Sequence, residues 1–172
     1  MRRFLAVAGL VLASTLVASP AQAYSNLSYR AAVVDTDDCW RASGVLTVVR
    51  ESNGCRLADS ADGTLFRFDA GGIAIKVEIR DGSGLVGKAE FHPYGEKFWF
   101  YDTRNDGDTV YYELCTGYRD VCYGTYQAPG TNNAIDYGTR EFSFAEGTRI
   151  SVSVYYDHTR TKLIGSFGYG AA

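Results

Sequence analysis

From residue 73 the chain alternates. In "IAIKVEIR", Ile73, Ile75, Val77 and Ile79 fall on one side and Ala74, Lys76, Glu78 and Arg80 on the other. That is the period of a half-buried strand. "DGSG" (81–84) is turn chemistry, and "LVGKAEFH" reads as the returning strand. Further strand-like runs follow: "KFWFYDT", "TVYYELC", "CYGTY", "REFSF", "TRISVSVYY" and "KLIGSFGY". Clusters of Gly, Asn, Asp and Pro separate them at roughly ten-residue intervals, the spacing of an all-β sandwich or barrel. No segment after residue 60 carries a helical period. The reading is an antiparallel all-β sandwich or barrel over residues 64–172. Residues 24–63 precede it as an arm or an added layer. There "SGVLTVVRES" fits either a strand or part of a short helix starting near Thr36.

The first 23 residues follow a different pattern. Arg2 and Arg3 precede an apolar run that ends in Ala21-Gln22-Ala23, the form of a secretory signal with an A-x-A cleavage site. Cleavage there leaves Tyr24 first, which predicts no lipid anchor, and no later run is apolar enough to span a bilayer. The remainder is one domain's worth of chain. It keeps 15 basic residues against 20 acidic ones, a net charge of about −5 with neutral histidines. An acidic exported chain without a basic cluster is poorly suited to nucleic acid or an anionic membrane. All four cysteines, Cys39, Cys55, Cys115 and Cys122, lie after the signal. Their even number predicts two disulfides. Of the three pairings, Cys39–Cys55 with Cys115–Cys122 is preferred, because each closes a short loop. No C-x-x-C or suitably spaced histidine suggests zinc, and no cofactor or metal is expected.

"DTRNDGDTVYYE" (102–113) can be laid over a calcium-binding EF-hand loop, with Asp102, Asp106, Gly107 and Glu113 at positions 1, 5, 6 and 12. Its flanks favour strands, and Arg104 stands where a cation needs an oxygen. A β-hairpin around Asn105-Asp106-Gly107 is the better reading. It places Phe98, Phe100, Val110, Tyr112 and Leu114 on one face. A non-EF calcium site on Asp102, Asp106 and Asp108 is the alternative use of these carboxylates.

No catalytic constellation stands out. His92 and His158 end strand-like runs, no serine occupies a G-x-S-x-G elbow, and Glu90, Glu96 and Glu113 are the carboxylates nearest an aromatic cluster. What is unusual is aromatic content: 13 tyrosines, Trp40 and Trp99. Doublets such as Tyr111-Tyr112 and Tyr155-Tyr156 must turn one ring away from the core. Outward tyrosines are enriched in interfaces and also stack on sugars. Tyr111, Tyr118, Tyr123 and Tyr155 are therefore the candidate binding residues.

The stretches "FHPYGEKFWFYDTRNDGDTVYYEL" and "FAEGTRISVSVYY" resemble a group of small secreted actinobacterial proteins of Streptomyces type. The matching positions are Phe91, Pro93, Gly95, Glu96, Asp102, Thr103, Asp106 and Gly107, then Glu146, Gly147, Thr148 and Arg149. The resemblance covers roughly residues 85–156. It implies an immunoglobulin-like sandwich and, more specifically, similarity to the adaptor subunit of secreted antibacterial umbrella toxin particles, which links a lectin subunit to a scaffold. It transfers no site residue. The expectation is a secreted, non-catalytic module that binds another secreted or cell-surface protein, with carbohydrate as a further ligand class. A secreted hydrolase of cell wall or polysaccharide is one alternative. A protease inhibitor using the loop closed by Cys115–Cys122 is another.

Overall fold

The structure is a computed structural model and describes residues 24, 26–130 and 133–172. The export signal read at 1–23 lies outside the described residues. The fold is all-β and antiparallel. In chain order the strands are β1 (Ser28–Asp35), β2 (Trp40–Gly44), β3 (Val49–Glu51), β4 (Gly54–Leu57), β5 (Thr64–Arg67), β6 (Ile73–Asp81) and β7 (Gly84–His92). They continue as β8 (Lys97–Asp102), β9 (Tyr111–Thr116), β10 (Val121–Tyr126), β11 (Asp136–Glu141), β12 (Arg149–Tyr155) and β13 (Leu163–Ala171). No helix occurs among the described residues, so none is long and apolar enough to cross a membrane. Both preferred disulfides, Cys39–Cys55 and Cys115–Cys122, are formed.

Hydrogen bonds connect ten strands into a sheet that folds over on itself. One leaf runs β2-β1-β6-β7-β8-β11 and the other β10-β9-β12-β13, joined where Ala171 pairs with Ile73. The alternation in β6 explains the packing. Ile75, Val77 and Ile79 join Ala89 and Phe91 of β7 and Phe98 and Phe100 of β8 against Tyr112 and Leu114 of β9 and Val152 and Val154 of β12. Each of the buried Ile, Val, Leu and Phe side chains contributes roughly 1.5–3 kcal/mol.

Gly87 marks how closely the leaves approach. A methyl group there would overlap the Tyr112 hydroxyl, which donates across the gap to the Tyr101 carbonyl at 2.8 Å.

The 97–115 segment departs from the predicted hairpin. β8 pairs with β7 and β11, whereas β9 pairs with β10 and β12, so residues 103–110 cross from one leaf to the other. Phe98, Phe100, Val110, Tyr112 and Leu114 do meet, but from opposite leaves. Alternation specifies a face; it does not specify the leaf. In place of a strand at "REFSF", β11 lies upstream and ends at Glu141.

A third layer covers part of the other side of the six-stranded leaf. It is the sheet β3-β4-β5 with the loop 58–63, seated through Leu57 and Phe66 on Ala32, Val34 and Ala74. The segment 24–63 thus supplies β1 to the main sheet and β3 and β4 to this layer, while β5 follows it in sequence. The expectation of a half-buried β6 is corrected here: its polar face is covered as well. Lys76 and Lys88 are fully buried. Both ammonium groups reach Asp59 Oδ2, at 2.6 and 2.9 Å. Lys88 also bonds Glu90 at 2.9 Å and Asp62, and Glu90 accepts from Thr64 and pairs with His92 at 3.0 Å. The charges read as a solvent face are instead an ionic layer between two sheets.

Candidate functional site

Three surfaces collect the chemically distinctive side chains. The first is the outer face of the six-stranded leaf. Strand register places Glu90 of β7 opposite Trp99 of β8, and Trp99 opposite Thr139 of β11. The charged half of this face lies under the small sheet. The aromatic half, Trp99 and Tyr137, lies past its edge. There Leu65 and Arg67 of β5 form the wall of an open cleft of about 480 Å³ whose floor carries Lys97 and Trp99.

The second surface is the outer face of the four-stranded leaf. Glu113 is buried in mid-strand and held by three groups. Arg119 donates to its Oε2 at 3.0 Å, the Tyr155 hydroxyl donates to the same oxygen at 3.0 Å, and Arg160 bonds its Oε1. Burial would raise the carboxyl's pKa; the hydrogen bonds from Arg160 and Tyr155 outweigh it, and the net shift is downward. The arginines come from opposite ends of the leaf, one in the β9–β10 turn and one in the β12–β13 turn, and both have positive φ. Among the described residues, the one grouping of metal-type ligands sets Glu113 beside Cys115 and Cys122. Those sulfurs form a disulfide and offer no thiolate.

The third surface lies along β13. A groove of about 350 Å³ separates it from β1 and the end of β2, and is lined by Tyr29, Val45, Phe167 and Tyr169. Tyr29, Val45 and Tyr169 are 52%, 60% and 62% exposed. The Tyr169 ring meets Tyr118, 63% exposed, edge-on at 5.9 Å. Arg149 donates to the Tyr118 hydroxyl at 2.9 Å and lies over its ring.

These placements sort the four tyrosines read from the sequence. Tyr118 belongs to the β13 surface. Tyr111 lies on the outer face of β9 with its ring against His158. Tyr123 leans edge-on against Phe142 and Phe144. Tyr155 is corrected as a contact residue: it does point away from the apolar core, but it is 2% exposed, bonded to Glu113 and Arg119. Sequence reading missed Trp99, Tyr137, Tyr29 and Tyr169. A signal for Trp99 was present in "KFWFYD", where alternation opposes Trp99 and Tyr101 to the core residues Phe98 and Phe100.

The acidic residues of 102–113 brace the crossover between leaves. Asp106 Oδ1 accepts from the Tyr24 hydroxyl at 3.0 Å and from the Asp108 amide, and Asp102 Oδ1 accepts from the Arg104 amide at 2.9 Å. Arg104 makes a two-pronged ion pair with Asp81. Burial, with the charges of Asp106 and Asp136 adding to it, pushes the Asp102 pKa up to about 6. A raised carboxyl destabilises the fold fully above its folded pKa, and the penalty disappears as pH falls toward the unfolded value of roughly 4. Asp102→Asn should therefore stabilise the protein by about 1–2 kcal/mol at pH 7.5. The gain should vanish by pH 4 in denaturant titrations at both pH values; an equal gain at both would contradict this account.

The chain matches no known family model, no characterised protein and no solved structure. The two-leaf arrangement therefore carries no immunoglobulin-like assignment from a neighbour, and function rests on the surfaces themselves.

Proposed function

We propose that the chain is a secreted, non-catalytic module that binds another secreted or cell-surface protein through its β13 surface. The observation that carries this reading is the run of Val45, Tyr29, Tyr169 and Tyr118, all more than half exposed and joined by groove and ring contacts. Large exposed apolar side chains gathered in one patch mark interaction surfaces. Tyrosine and arginine, both present here, are the residues that most often dominate binding energy. Two disulfides suit an oxidising compartment, and the leader read at 1–23 supplies the export route. The sequence resemblance to umbrella-particle adaptors suggests an extracellular assembly as the setting.

The hydrolase alternative has less support. His92 ends β7 on one leaf and His158 lies in the β12–β13 turn of the other, and Glu90 and Glu113 are engaged by Lys88 and by Arg119 and Arg160 respectively. The inhibitor alternative draws only on the short β9–β10 turn that carries Tyr118.

The test is a Tyr118→Ala/Tyr169→Ala double variant, with the binding partner taken from native culture fluid. Its dissociation constant for that partner should rise at least about tenfold, with an unchanged melting temperature because both rings are exposed. Unaltered affinity would contradict the assignment of this surface.

A further inference from the structure

The small sheet stops halfway across the outer face of the six-stranded leaf, and the chemistry changes at its edge. On the covered side lie Lys76, Lys88 and Glu90. On the open side lie Trp99 and Tyr137. Buried Tyr101 braces both rings. Trp99 lies 6.2 Å from it at an interplanar angle of 16°, and Tyr137 lies 5.7 Å away at 35°. Trp99 and Tyr137 are 5.6 Å apart and tilted by 33°; Trp99 lines the cleft, and Tyr137, more than half exposed, stands beside it. That spacing is comparable with the length of one pyranose unit.

The rim of the cleft is polar and mixed in charge. Arg67 stands over the Tyr94 ring at 5.3 Å, and Lys97 bonds Glu141 at 2.7 Å. Two cations and one carboxylate give donors and acceptors together, without the one-signed field that would select a multiply charged ligand. A ligand suited to this arrangement is flat and apolar on its faces and hydroxylated at its edge. A pyranose meets both demands. Its axial C–H bonds meet the negative face of an aromatic ring, and its equatorial hydroxyls reach the charged rim.

We propose that this cleft binds a saccharide chain that continues onto the surface beside it, with Trp99 inside the cleft and Tyr137 next to it as stacking platforms and Arg67, Lys97 and Glu141 as hydrogen-bonding partners of the hydroxyls. The site does not depend on the β13 surface, so protein binding and saccharide binding succeed or fail separately.

Calorimetry and tryptophan fluorescence with cellohexaose, chitohexaose, xylohexaose and laminarihexaose test the proposal on the full mature chain. At least one of these should bind the wild-type protein and shift its emission, and the shift should persist in Trp40→Phe, which leaves only Trp99. Tyr137→Ala should weaken binding about tenfold. It removes an exposed ring, so an unchanged melting curve will certify the fold, and Trp99→Phe gives a second, conservative measurement in which affinity should also fall. The proposal is overturned if none of the four binds at millimolar concentration, or if both variants bind as the wild type does. It is equally overturned if a proline-rich peptide occupies the cleft in a Trp99-dependent way while all four sugars stay inert.

Discussion

Asp59→Ala should lower the unfolding free energy by about 3–5 kcal/mol, the loss seen when one member of a buried ion pair is removed. The melting temperature should fall by roughly 10 °C. The reason lies in what Asp59 touches. Its Oδ2 accepts from Lys76 at 2.6 Å and from Lys88 at 2.9 Å, and all three side chains are shut off from solvent. Without it Lys76 keeps only Glu78, at 3.6 Å. Lys88 keeps Glu90 and Asp62, so the deficit is concentrated at Lys76. Burial by itself would raise the Asp59 carboxyl, but hydrogen bonds from the two lysines outweigh it and hold its pKa well below the usual carboxylate range. Glu90 is also buried and also shifted downward, by His92 and Lys88. Carboxyls depressed in this way add stability that is fully present above their unfolded pKa, roughly 4, and lost as pH falls below it. Wild-type stability should therefore drop below pH 4, and Asp59→Ala should flatten that drop. Chemical denaturation of both proteins from pH 3 to pH 7 measures this. A loss under 1 kcal/mol at pH 7 would mean that the lysines find other partners.

The second large effect concerns the same layer. Cys39→Ala/Cys55→Ala should cost about 3 kcal/mol, the value for a crosslink that closes a loop of this length. The bond joins the turn after β1 to β4, and so ties the small sheet to the main one. That sheet has three strands of three or four residues and cannot stand alone. Apart from the disulfide it is held by Leu57 and Phe66 on the main sheet and by the Asp59 cluster. Hydrogen exchange should show the loss concentrated at β3–β5, with the β9–β12 pairing still protected. Uniform deprotection would show that the layer and the sandwich unfold as one unit. Because β5 walls the Trp99 cleft, the same variant should also weaken any ligand held there.

How much of this was legible in the sequence depends on the residue. Alternation in "IAIKVEIR" gave β6 and its inward face, and the Gly-rich turn gave its pairing with β7. The same alternation could not say that Lys76 and Glu78 would be buried. A charged position on a strand looks identical whether water or another sheet lies over it. The cross-strand partners Lys76–Glu90 and Glu78–Lys88, with Asp59 and Asp62 in the preceding loop, were the available hint. Likewise Phe98 and Tyr112 were read onto one surface when they in fact face each other across the core. Of the four tyrosines, Tyr118 is outward as expected, in the turn between β9 and β10, whereas the exposure of Tyr155 was misjudged because Arg119 and Glu113 close over it. The Trp99 cleft depends on where the third layer ends, which no local pattern encodes.

The claim at the centre of this account is that the β13 surface engages another protein. The most direct measurement is the mass of the native species in culture fluid of the producing organism, by light scattering on a size-exclusion column with peptide identification of the peak. The account predicts a complex heavier than the mature chain that contains a second protein and dissociates when Tyr118 and Tyr169 are replaced by alanine. A wild-type peak at the mass of the single mature chain, with no second protein in it, would contradict it.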